Sequence, residues 1–173
     1  MKFSKTQNEI LSFLADHAGQ VFYESQITKA TALSAGAVNQ ALKDLANKKW
    51  VNLEKKGNMN FFSLNLDSPP VRQFKITQTV TKLNNLVEKL KPLVKRIILF
   101  GSASKGLDIE ESDIDILVVS NTKDKVRSIV RKYRIDREIQ LLVYNSLEFV
   151  KLGTSDKVLY ERVGKGITLC GAE

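Results

Sequence analysis

At 173 residues, 43% hydrophobic and with a formal net charge of +8, the chain has room for one domain or two small ones, and its positive excess favours polyanions such as DNA, RNA or nucleotides. No apolar run approaches the length of a membrane span and Met1 to Glu9 is too polar for a signal peptide, which points to a soluble, cytoplasmic protein with no membrane partner. One cysteine, Cys170, and one histidine, His17, exclude an internal disulfide and a Cys/His metal centre, so any metal must be held by oxygen.

From Ser4 to about Ala18, residues Ile10, Phe13, Leu14 and Ala18 share one helical face, Ser4 is a natural N-cap and Gly19 a stop. Gln20 to Tyr23 is a short strand candidate, and Glu24 to Thr31 has helical spacing through Ile27 and Ala30. Ser34 then caps a third helix with Val38, Ala41, Leu42 and Leu45 inward and Asn39, Gln40 and Lys43 outward. Two β-prone runs, Trp50 to Lys56 and Asn60 to Asn65, flank Gly57-Asn58-Met59, a hairpin signal.

Helix, short strand, helix, helix, hairpin resembles the winged-helix form of the helix-turn-helix, over Met1 to about Leu66. A B-DNA major groove admits one helix, so the resemblance implies double-stranded DNA as partner. Asn39, Gln40 and Lys43 would face base edges or phosphates, and Lys55 and Lys56 at the hairpin tip would reach the flanking backbone. A winged helix used only for protein contacts or dimerisation is the alternative. Asn47-Lys48-Lys49 stands where many winged helices carry a glycine, and of these Asn47 best tolerates the left-handed turn.

Asp67-Ser68-Pro69-Pro70 reads as an extended spacer, because two prolines interrupt helix and ladder alike. Beyond it Ile76, Val80, Leu83, Val87 and Leu90 recur in steps of four and three, giving one long helix to about Lys91 before Pro92. Its seam either packs on a following sheet, braces two domains or joins a homodimer. The expected organisation is 1–66, a connecting segment 67–91, and a second domain 92–173.

That second domain opens on an apolar strand, Val94 to Phe100, ending in Gly101-Ser102. Glycine lets backbone approach a ligand closely, and serine supplies a hydroxyl and an N–H for a phosphate oxygen. Leu107-Asp108 occupy the places where a P-loop needs Lys-Ser/Thr, so this is a different phosphate turn, with Lys105 available to neutralise a phosphate. Asp113 and Asp115 lie two apart on the next strand and so share a face. Two adjacent carboxylates repel unless a divalent cation sits between them, and hard oxygens beside a triphosphate suit Mg2+.

Gly101-Ser102, ten residues, then Asp113-Ile114-Asp115 between two apolar strands resembles the signature of the polymerase-beta-like nucleotidyltransferases, above all the minimal single-domain members. The resemblance covers about Lys95 to Gly171 and extends to Gly106, Ser112 and Ile116 to Val119. It implies an α/β (α+β) domain with a mixed sheet, behind an N-terminal winged helix-turn-helix. It also implies an NTP on Gly101, Ser102 and Lys105, Mg2+ or Mn2+ on Asp113 and Asp115, and transfer of a nucleoside monophosphate to an acceptor hydroxyl. Some minimal members modify a partner protein, which would make the acceptor a protein.

The family takes a third carboxylate from a later strand. Here an amphipathic helix, Asn121 to Tyr133, leads to the strand Arg137 to Val143, where Gln140 stands in the usual aspartate place. Glutamine can coordinate through its carbonyl but carries no charge and cannot act as a base. Glu138, two residues away, is the other possible third ligand, or else a partner for Arg137 or Lys95. Arg134 and Arg137 either contact phosphates or form a solvated basic face. Catalysis therefore stays open, with two readings: a nucleotidyltransferase weakened at Gln140, or a DNA-binding regulator whose second domain binds nucleotide or a partner without turnover. The tail, two short helices and the strand Ile167 to Cys170, reads as packing.

Overall fold

The computed structural model describes residues 3–171. They form two compact units that divide at Lys75 and Ile76.

The first unit runs α1 (Lys5–Asp16), β1 (Phe22–Tyr23), α2 (Glu24–Thr31), α3 (Ala35–Asn47), β2 (Val51–Lys56) and β3 (Met59–Leu64). Local chemistry sets most of these boundaries. Ser4 and Gln7 form a reciprocal capping box at the start of α1, and the Ser34 hydroxyl accepts from the Ala37 N–H at the start of α3. The hairpin β2–β3 turns at Gly57-Asn58, and β1 adds antiparallel to β3, giving a sheet ordered β1-β3-β2. Ile10, Leu14, Ile27, Val38, Leu42 and Leu45 are almost fully buried between the three helices and the sheet. At roughly 1.5–3 kcal/mol for each such side chain, this burial outweighs the modest helix propensities of the segment. Three helices with a β-hairpin wing and a short third strand make a winged helix.

The turn after α3 departs from the sequence expectation. Asn47 stays helical, and Lys49 takes the left-handed position at φ 57°. The reason is the hydrogen-bond pattern: Lys49 N–H reaches Ala46 O at 2.9 Å and Trp50 N–H reaches Leu45 O at 3.0 Å. That pair of bonds closes the turn directly after Asn47, the last residue of α3, and puts the positive φ at Lys49.

Pro69 and Pro70 are not an extended spacer. They open α4 (Pro69–Leu90), where missing N–H groups cost nothing because the first turn has no acceptors for them. Early in α4, Val71 and Phe74 belong to the first core, and Lys75 is buried with its ammonium on the Ala15 carbonyl at 3.2 Å. Farther along, Leu83, Leu86, Val87 and Leu90 are buried in the second core. The seam is thus spent inside the chain's own second unit and does not stand free for a second copy.

The second unit continues with β4 (Arg96–Phe100), β5 (Ile114–Val119), α5 (Lys123–Lys132), β6 (Ile139–Tyr144), α6 (Ser146–Ser155), α7 (Lys157–Gly164) and β7 (Ile167–Cys170). Its sheet is mixed, in the order β6-β5-β4-β7, with β5 and β6 parallel and the other pairs antiparallel. The crossover through α5 is what a parallel pair requires. Alternate strand residues face opposite cores: Ile97, Leu99, Ile116 and Val118 lie under α4 and α5, while Ile98, Phe100, Leu117 and Val119 lie under α6 and α7. Both faces of the central strands are covered, which explains their unbroken apolar runs.

Candidate functional site

β4 is buried over most of its length and delivers the chain to Gly101 at one end of the sheet. Gly101 has φ 72°, and a Cβ built there would lie 2.0 Å from Asp115 Oδ2. Both facts demand glycine: the backbone is left-handed, and a carboxylate rests against it. Ser102 starts a single 3-10 turn, Ala103–Lys105, and its carbonyl accepts from Lys105 N–H at 3.0 Å and Leu107 N–H at 3.1 Å. Ser104 Oγ donates to Gly101 O at 2.9 Å, and Gly106 at φ 65° closes the turn. Lys105 is exposed at this turn.

The loop returns through Ser112, whose hydroxyl accepts from Ile109 N–H at 3.0 Å. Asp113 is exposed and stands one residue ahead of β5, while Asp115 is half-buried within it. Strand register lines up Phe100, Asp115 and Gln140 across β4, β5 and β6. Gln140 is therefore the direct neighbour of Asp115 on the parallel strand. Glu138 is exposed and precedes β6, with its carbonyl accepting from Ile114 N–H at 2.8 Å.

Burial raises the pKa of the Asp115 carboxyl; the Arg162 guanidinium opposes that rise and the nearby Asp113 charge adds to it. Burial makes ionisation more costly there than in water, so a cation bound beside Asp115 would recover part of that cost. Asp115 against the Gly101 backbone, with the Asp113 charge near enough to act on it, offers hard oxygen donors that fit one divalent cation taking its remaining ligands from phosphate oxygens. Among the described residues no group of three or more His, Cys, Asp or Glu could hold a metal without such help.

Two features of this end of the sheet have no local sequence signal. Arg162, on α7, places its guanidinium 5.8 Å from the Phe100 ring, beside the strand that ends in Gly101. In sequence it is one more basic residue on a packing helix. Asp108, only 3% exposed, holds Arg137 at 2.5 Å, and so ties the loop between Gly101 and Asp113 to the approach of β6. Arg137 is thus neither a solvated basic residue nor a partner of Glu138, because the buried Asp108 carboxylate claims it. Two residues that look like surface charges in the sequence are a buried pair in the fold.

In the winged helix, Gln40 and Lys43 are exposed on α3, while Asn39 is half-buried and donates to Glu24 Oε2 at 2.8 Å. Gln40 also donates to Asp44 at 3.1 Å. At the wing, Lys55 and Lys56 are exposed, with Lys56 lying 3.3 Å from Glu54 and 5.5 Å from the Phe61 ring centre. Lys43 and Lys55 are the least committed of the five.

With this geometry in hand, two kinds of similarity bear on the second unit. The family model for the nucleotidyltransferase domain matches residues 80–162. A candidate protein adenylyltransferase of Methanocaldococcus jannaschii is 33% identical over 91 residues, covering 47% of this chain and 95% of that protein. The chain belongs to the nucleotidyltransferase domain family. A second candidate protein adenylyltransferase of the same archaeon is 51% identical over 39 residues, covering 22% of this chain and 39% of its own length. The match places the Gly101-Ser102 turn, the Asp113-Asp115 pair, Gln140 and Arg162 all inside the nucleotidyltransferase domain. Among solved structures, Lactococcus lactis ZitR is 26% identical, covering 51% of this chain and 63% of that one, with a TM-score of 0.39.

Proposed function

We propose that this nucleotidyltransferase domain binds an NTP at the Gly101 turn and transfers its nucleoside monophosphate, slowly, to an acceptor hydroxyl, while the winged helix binds double-stranded DNA. In this reading residues 1–66 form the DNA module, 67–91 the connection and 92–173 the nucleotide module. The observation that carries it is Asp115, seated against the Gly101 backbone and level with Gln140. Ser102 and the turn's backbone hold phosphate oxygens, Lys105 offsets their charge, and Asp113 and Asp115 are the ligands for Mg2+ or Mn2+. The metal, when bound, neutralises the triphosphate and steadies the leaving pyrophosphate.

The acceptor oxygen attacks the α-phosphorus, a new P–O bond forms, and the bond to the bridging oxygen breaks with its electron pair leaving on pyrophosphate. The hydroxyl proton must also depart. Gln140 cannot take it, and Glu138 lies outside the strand and exposed, so the proton passes to solvent or to the substrate's own phosphate. Slow turnover follows. The archaeal relatives named as candidate protein adenylyltransferases favour ATP as donor and a protein hydroxyl as acceptor. Gln140 equally supports a second reading, a DNA-binding regulator whose nucleotidyltransferase domain holds nucleotide without turnover.

Calorimetry separates binding from chemistry. Asp113→Asn with Asp115→Asn should abolish Mg2+-dependent NTP affinity, and wild type lacking any such affinity would sink both readings. Labelled NTPs incubated with Mg2+ and cell extract then test transfer and reveal the acceptor. For the winged helix, DNA affinity should fall as salt rises. Lys43→Ala with Lys55→Ala should reduce the slope of log affinity against log salt by roughly 2, since two phosphate contacts are lost. An unchanged gel shift would instead make the winged helix a protein-contact module.

A further inference from the structure

The second unit has another concavity at the end of its sheet away from Asp113 and Asp115. β5 and β6 are parallel neighbours. The chain leaving β5 enters α5, whose Val126 and Val130 pack on one face of the sheet, whereas the chain leaving β6 enters α6, whose Leu152 packs on the other. Parallel neighbours whose connections depart to opposite faces leave a crevice beyond their carboxyl ends, the place where α/β sheets hold ligands.

A cavity of about 940 Å³ lies there, lined by Lys95, Lys123, Lys125, Arg127, Asp124 and Ser146, among others. Four basic side chains face one carboxylate. Arg127 contacts that carboxylate, Asp124, at 3.2 Å, and Lys123 pairs with Glu148 across the two helix starts. Lys95 and Lys125 have no carboxylate partner among the described residues. Both α5 and α6 begin at the crevice, and although Asn145 caps the Glu148 N–H, the positive end of each helix faces it. Ser146 Oγ, on the first residue of α6, is buried and makes no hydrogen bond. A buried hydroxyl without a partner is costly, and rotation of this side chain toward the crevice that Ser146 lines would let a ligand oxygen satisfy it.

We propose that this crevice is a second anion site, binding the phosphate group of a small phosphorylated ligand through Lys95, Lys125 and Ser146. Across the six residues of β5 it stands about 20 Å from the Asp113–Asp115 end. It needs neither a metal nor an occupied nucleotide site, and so does not depend on the function proposed above.

The test uses the full chain with a metal chelator present, and inorganic phosphate and pyrophosphate as probes in calorimetry and thermal melts. Pyrophosphate should bind wild type and the Asp113→Asn, Asp115→Asn variant equally. Lys95→Gln with Lys125→Gln should weaken it by about tenfold or more, as the loss of charge-assisted bonds implies. Ser146→Ala should melt higher than wild type without phosphate yet gain less when phosphate is added, a pattern that a packing role would not produce. The proposal is overturned if neither probe binds at millimolar concentration. It also fails if Lys105→Ala removes binding while Lys95→Gln with Lys125→Gln does not. A DNA duplex that outcompetes pyrophosphate for the same lysines would overturn it as well, by making the crevice a polynucleotide groove.

Discussion

Gln140→Asp should accelerate pyrophosphate release from Mg2+·NTP by about a hundredfold to ten-thousandfold, the usual contribution of a positioned general base. The expectation rests on register. Gln140 is the residue paired with Asp115 on the parallel strand β6, so an aspartate there would be the immediate neighbour of the carboxylate proposed to hold the metal. It would restore both an anionic ligand for a second cation and a group able to accept the acceptor's proton. Because Gln140 is exposed, the replacement buries no charge, but it sets a carboxylate beside Asp115, so without a divalent cation it should cost a little stability that Mg2+ restores. NTP affinity should change much less than rate, since in the proposed reading Asp113, Asp115 and the turn make the nucleotide's own contacts. Brisk release by wild type, with no gain from the aspartate, would show that the missing carboxylate is not what limits turnover.

Arg137→Met should destabilise the second unit by about 3–5 kcal/mol, the cost of removing one side of a buried ion pair. Asp108 is 3% exposed, the Arg137 side chain 15%, and the contact is 2.5 Å, so water cannot easily replace the guanidinium. In a unit of this size, the loss corresponds to a fall in Tm on the order of 10–20 °C. Asp108→Ala combined with Arg137→Met should recover most of it, because apolar replacement of both partners leaves no stranded charge. Denaturant melts of the single and double variants measure this coupling. A single-variant loss below about 1 kcal/mol, typical of an exposed pair, would mean that solvent reaches Asp108 after all. The pair also has a positioning consequence: it fastens the loop between Gly101 and Asp113 to the entry of β6, where Gln140 sits.

Much of the fold is written locally. Ser4, Ser34 and Asn145 mark helix starts because a side-chain oxygen satisfies N–H groups two or three residues away. The hairpin follows from Gly57-Asn58 between β-prone runs, and the long apolar stretches at β4 and β5 follow from burial on both faces. Where local rules failed, hydrogen bonding or a special position was the cause. Prolines 69 and 70 open a helix instead of preventing one, and Lys49 takes the left-handed turn in place of Asn47.

By itself, the sequence determined the two-part architecture, the Gly-Ser turn and the paired aspartates, all of which depend on spacings of a few residues along one strand or turn. Tertiary structure alone decided that the Asp115 carboxylate lies on the Gly101 backbone, that Asp108 buries Arg137, that Arg162 approaches Asp115, and that a basic crevice forms at the opposite end of the sheet. Each of these joins segments on different elements. Their meeting is set by strand register and by which face each helix covers, and neither is encoded in a local pattern.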